Sequence, residues 1–131
     1  MIVAGVGFRR GVETGEIVAL VEQALERAAL APQALDRLAT IEALAALPAF
    51  TQAARRLAVR TIPVEEEALV TAASEVRTFS ARSLAAHGVG SVAEAAALGA
   101  AGPGAALILA RIASPSATCA LARSNVTETG P

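Results

Sequence analysis

The chain has 131 residues, 54 % of them hydrophobic, and a formal net charge of −1. That length predicts one domain with a single real core, and the apolarity excludes intrinsic disorder. Near-neutral charge argues against a dedicated nucleic-acid binder, which would show a basic stripe, and three Phe with no Trp or Tyr leave little for base stacking.

Met1–Gly5 is a short apolar run ending in glycine and reads as a buried first strand. The segment Gly5-Val6-Gly7-Phe8-Arg9-Arg10-Gly11 then turns. From Thr14 to Leu30 the pattern is helical: Ile17, Val21, Ala24, Leu25 and Ala28 share one face, and Glu16, Glu22, Gln23, Glu26 and Arg27 occupy the other. Ala31-Pro32 ends it. A short helical turn is expected over residues 32–36 and a strand over 38–42, on the βα rhythm of the flanking segments. Pro48 opens the next helix from its first turn, burying Phe50, Ala54 and Leu57. Residues 59–62 form a second β-branched run, and Pro63 with Glu65, Glu66 and Glu67 starts a helix whose acids favour its dipole. Residues 76–83 read as loop or edge strand. Gly88-Val89-Gly90-Ser91 precedes an almost wholly apolar helix from Val92, with Ser91 and Glu94 as a capping box. Gly102-Pro103-Gly104 breaks that helix, residues 106–112 form a strand, and Ser114-Pro115-Ser116 turns into a last strand over 118–121. These two strands are expected to pair antiparallel. The fold class that follows is α/β, a three-layer α/β/α sandwich around a mixed, mostly parallel sheet. Residues 1–123 form the expected domain and residues 124–131 a flexible tail.

Three constellations could carry chemistry. Gly5, Gly7, Arg9 and Arg10 form either a backbone anion cradle with charge-assisted contacts or a tight turn with solvated arginines. All eleven basic residues are Arg, so every cation a ligand could meet is a planar, permanently charged fork suited to carboxylate or phosphate. The spacing G-x-G-x-x-x-G, without an acid about 20 residues on, is not a dinucleotide fingerprint. Gly88, Gly90, Ser91 and Glu94 form a second glycine turn at a helix N-terminus, which capping alone also explains. Arg111, Ser114 and Thr118 flank a turn that lines a polar pocket or makes a hairpin. His87 is the sole histidine, and Cys119 sits in an apolar strand where thiols are inert. No zinc-type spacing, membrane-length apolar run or signal segment is present. The lone cysteine fits a reducing, cytoplasmic setting.

In order along the chain, residues 5–11, Gly88–Ala97 and Ser114–Thr118 with Ala120 resemble the family of the cobalamin-biosynthesis protein CobE and the C-terminal domain of CbiG. The resemblance implies a precorrin or cobalt-precorrin tetrapyrrole as ligand, a macrocycle ringed by acetate and propionate carboxylates, and no cofactor. The small size and the buried, alanine-rich helices admit a third reading, a structural partner for another enzyme of the corrin pathway, while composition argues against a nucleic-acid partner and run length against a membrane one. CbiG is associated with hydrolytic opening of a cobalt-precorrin lactone with release of acetaldehyde, whereas CobE is linked to handling of a pathway intermediate. CbiG-type sequences tend to show a lysine and an acid soon after the second strand. Here residues 43–47 are wholly apolar, and nothing precedes Met1, so the expectation is a CobE-like accessory protein that binds its ligand. The alternative is a hydrolase with His87, Glu94 or Glu42 as base.

Overall fold

The computed structural model of the protein describes residues 1–72, 76 and 91–124. Strand β1 (Ile2–Phe8) turns into helix α1 (Thr14–Arg27), and one 3-10 turn at Pro32–Ala34 leads into β2 (Leu35–Ile41). A four-residue helix α2 (Glu42–Ala45) and helix α3 (Pro48–Leu57) precede β3 (Arg60–Val64) and α4 (Glu66–Ala72). Helix α5 (Val92–Ala101) then feeds a hairpin of β4 (Ala106–Ala113) and β5 (Ala117–Arg123).

The strands form one sheet in the order β3-β2-β1-β5-β4. β2 pairs parallel with β1 and β3, while β5 runs antiparallel to both β1 and β4. Four of the five strands therefore point one way, and the expected mixed, mostly parallel sheet is present. Because strand side chains alternate between faces, the sheet serves two cores. On β1, Ala4 and Val6 join Cys119 and Leu121 of β5 on the face that α1 and α3 cover with Ile17, Leu20, Val21, Phe50 and Ala53. On the other face, Val3, Ala39, Ala120 and Ala122 meet Ala93, Ala96 and Ala97 of α5, with Leu69 of α4 alongside. Helices on both faces of a mixed sheet make the α/β/α sandwich.

Helix α5 lies closer to the sheet than bulky side chains allow. A Cβ on Gly5 would stand 2.2 Å from the Ala93 carbonyl oxygen and 2.4 Å from the Ala97 nitrogen. Gly5 is thus the space into which the helix backbone fits, and the alanines on its underside complete the contact. This explains the near-absence of a polar face on α5: its residues from Ala93 to Leu98 are all buried.

Several boundaries differ from the sequence expectation for identifiable reasons. β2 starts at Leu35, not Leu38, because its ladder with β1 begins at Ile2↔Leu35 and the Ile2 N–H also donates to Asp36 Oδ2 at 2.8 Å. It ends at Ile41, and Glu42 opens α2. Pro63 lies inside β3 instead of starting a helix, an edge position where a missing N–H is tolerated; α4 starts at Glu66. Helix α1 stops before Leu30 because Ala29 takes a left-handed conformation (φ 59°), and the Leu30 N–H closes back onto the Leu25 carbonyl. Ala58 (φ 60°) ends α3 in the same way, with the Val59 N–H on the Ala54 carbonyl. Ser124, expected in the tail, is held by Met1, whose carbonyl accepts its N–H at 2.9 Å. The rest of the tail, residues 76–83 apart from Val76, and His87 lie outside the described residues.

Candidate functional site

The parallel strands deliver their C-terminal ends to one rim of the sheet, where ligands of open α/β folds bind. Three separated stretches of sequence meet there. Gly7 pairs with Thr118 across the β1–β5 ladder. The Thr118 hydroxyl donates to the Gly7 carbonyl at 3.4 Å and stands 2.9 Å from where a Gly7 Cβ would lie. The same position is 3.5 Å from Val92 Cγ1, the first residue of α5. Gly7, itself buried, therefore leaves the room that the Thr118 side chain and the start of α5 fill where they come together.

The helix start is firmly capped. Ser91 is buried, extended in backbone, and its Oγ accepts the Glu94 N–H at 3.3 Å. Glu94 reaches further than a capping box requires: its fully buried carboxylate accepts the Arg111 backbone N–H of β4 at 2.8 Å. That N–H sits where β4 departs from regular pairing. Leu109 faces Leu121 and Ile112 faces Cys119, so three steps on β4 match two on β5. A bulge interrupts the regular ladder, and Glu94 accepts an N–H within it. Glu94 thus works inside the fold, which leaves it poorly placed to meet a ligand in solvent.

The arginine turn is fixed beside this junction. The Arg9 N–H donates to the Ser116 carbonyl at 3.0 Å, and the Val12 N–H closes the turn on the Arg9 carbonyl at 3.0 Å. Arg9 and Arg10 are exposed, and among the described residues neither guanidinium has a hydrogen-bond or ion-pair partner. Phe8, half-buried at the end of β1, stacks on Phe50 with ring centroids 6.0 Å apart. The side chain of Arg111 is half-buried on β4.

A residue that the sequence pattern assigns to a solvated face completes the rim. The Glu16 carboxylate, in the first turn of α1, accepts the Ser114 hydroxyl and, at 2.7 Å, the Ser116 N–H. These bonds, the Ser114 hydroxyl first, hold its carboxyl below the usual carboxylate value. Ser114 is consequently engaged within the protein, and its own N–H donates to the Ala117 carbonyl at 2.8 Å. No local signal could reveal this contact, because Glu16 and Ser114 are 98 residues apart.

Of the residues singled out from the sequence, Gly7, Arg9, Ser91, Arg111 and Thr118 gather around this rim, with Arg10 next in the turn. Gly5 lies beneath α5, Glu94 and Ser114 serve internal contacts, and Gly88 and Gly90 lie outside the described residues. Among the described residues, no three His, Cys, Asp or Glu cluster as metal ligands, and no helix is long and apolar enough to cross a membrane.

Comparison with known proteins agrees with this architecture. The family described as cobalamin synthesis G C-terminus matches residues 2–122. Protein CobE of Sinorhizobium sp is 39 % identical over 121 residues, covering 92 % of this chain and 79 % of the relative. The crystal structure of CobE, a protein from the cobalamin biosynthetic pathway, superposes with a TM-score of 0.87 at 34 % identity, over 94 % of this chain and 89 % of that one. The cobalamin biosynthesis protein chiG from Agrobacterium tumefaciens superposes with a TM-score of 0.76 at 36 % identity, over 96 % of this chain and all of the other. With the family matched from first strand to last, this chain is a cobalamin-biosynthesis protein of the CobE and CbiG C-terminal family.

Proposed function

We propose that the rim formed by Gly7, the start of α5, Thr118 and the arginine turn binds a precorrin-type tetrapyrrole through its peripheral carboxylates, and that the protein acts as an accessory binding protein of the pathway. The observation that carries this reading is the convergence of these elements beside two exposed guanidiniums that have no partner among the described residues. A guanidinium pairs with a carboxylate in a planar fork, and the positive end of α5 favours an anion nearby. Arg9 and Arg10 supply the forks in this reading, with Arg111 as a third cation. Gly7 lets Thr118 and the start of α5 pack closely beneath the arginine turn. Glu94 supports the rim from inside by holding β4.

Absorbance titration of the protein with precorrin-type intermediates tests the reading, because the macrocycle reports its own environment. A saturable shift with the compound recovered unchanged is expected. Arg9→Ala and Arg10→Ala should each weaken binding by about 1.5–3 kcal/mol, the worth of a shielded charge-assisted contact. Undiminished affinity in the double variant rejects the assignment. A new product spectrum with catalytic release of a two-carbon fragment would replace it with a hydrolase.

A further inference from the structure

The backbone of Ser116 closes a small ring at the rim. Its carbonyl accepts the Arg9 N–H at 3.0 Å, and its N–H donates to Glu16 Oε2 at 2.7 Å. Arg9 and Glu16 bracket the loop from β1 to the first turn of α1, so one residue of the distant hairpin clips both ends of the segment that carries Arg9 and Arg10. The Ser114 hydroxyl adds a second bond to the same carboxylate, and the buried Val12 anchors the middle of the loop in the core. Glu16 is the sole side chain in this ring; every other link is backbone and survives side-chain substitution. A carboxylate with two donors is a strong acceptor pair, and a loop fixed before binding loses less freedom when it binds.

We propose that Glu16 is a positioning residue for the anion-binding turn: through Ser116 it holds Arg9 in the geometry that receives a carboxylate. The inference rests on the binding role proposed for that turn. It predicts that Glu16 contributes to affinity without touching the ligand, and that its contribution vanishes once the arginine it positions is gone.

The test is a double-mutant cycle with uroporphyrin III, an octacarboxylate tetrapyrrole, as the absorbance probe. Wild type, E16A, E16Q, R9A and E16A/R9A are titrated at one salt concentration, and thermal unfolding confirms that each is folded. Glu16→Ala is expected to weaken binding about 3- to 10-fold, the scale of a loop ordered on binding. Glu16→Gln, whose amide oxygen still accepts the Ser116 N–H, should recover most of that loss. In the Arg9→Ala background, Glu16→Ala should add less than about 2-fold, because the two share one route. A purely structural role for Glu16 would instead give equal losses in both backgrounds and overturn the inference. If Arg9→Ala weakens binding and Glu16→Ala does not, the positioning role fails while the binding site stands. If neither R9A nor the Arg9→Ala, Arg10→Ala double variant changes affinity, the site itself fails.

Discussion

Replacing Gly5 with alanine adds one methyl group at the point where the sheet and α5 are closest. The new Cβ would lie 2.2 Å from the Ala93 oxygen, 2.4 Å from the Ala97 nitrogen and 2.9 Å from the Ala97 Cα. Ordinary contact begins near 3.4 Å, so the helix must rise by roughly 1 Å at two successive turns. All three obstructing atoms are backbone, and none can rotate aside. Overpacking of a core costs typically about 1–3 kcal/mol; with a central helix displaced, about 3 kcal/mol or more is expected here. A domain holds roughly 5–15 kcal/mol in total, so the variant should lose a large share of its stability and melt about 10 °C lower. Urea unfolding followed by far-UV circular dichroism measures this directly, provided the slope stays unchanged. Gly11→Ala is the control: no atom lies within 4 Å of its added Cβ, and it should be neutral or more stable by about 0.4–1 kcal/mol. If Gly5→Ala falls within about 0.5 kcal/mol of wild type, as ordinary surface changes do, the close approach of α5 to β1 is refuted.

Three further outcomes follow from the same structure. Glu16 is held below its ordinary value of 4.5 in the folded state, so its stabilisation is complete above that pH and fades as pH falls through the lowered value. The gap in melting temperature between wild type and Glu16→Gln should therefore close in acid, and a gap independent of pH would contradict the tether. Ala58 occupies a left-handed conformation that disfavours a Cβ, so Ala58→Gly should raise stability by about 0.5–1 kcal/mol in thermal unfolding; a loss would show that the strain is absent. Burial pushes the Cys119 thiol up to about 12, and a thiol reagent near pH 8 should label only unfolded protein. Rapid labelling of the native chain would contradict that burial.

Elements whose own pattern decided their conformation were legible in the sequence. The apolar run of α5 behind Ser91 read as a buried, capped helix, and the two apolar runs around Ser114-Pro115-Ser116 read as an antiparallel pair, both as the structure has them. β2 was less legible, because Leu35 and Asp36 join the sheet through pairing with Ile2, a contact local propensity does not contain. Pro63 was misleading for the same reason: a proline acceptable at a sheet edge looks like a helix start until the strand order is known. At the rim, composition pointed to arginines and glycine turns. It could not separate Gly5, which makes room for a helix backbone, from Gly7, which makes room for the Thr118 side chain. Nor could it connect Glu16 to Ser114 and Ser116, since that bond exists only once both ends of the chain are folded.

The outermost strands of the sheet bear on how such a protein could meet other molecules. Among the described residues β3 and β4 are its flanks. β3 carries Pro63, and β4 contains two extra residues, one between Leu107 and Leu109 and one between Leu109 and Ile112, relative to β5. A proline removes a donor that a docking strand would need, and bulges spoil the even spacing of the groups that remain. Both flanks thus discourage extension of the sheet by a foreign strand, and with it the edge-to-edge stacking that leads to aggregation. Partners that recruit their targets by strand addition find little purchase here, which leaves helix faces and the rim at the strand ends as the surfaces suited to an encounter.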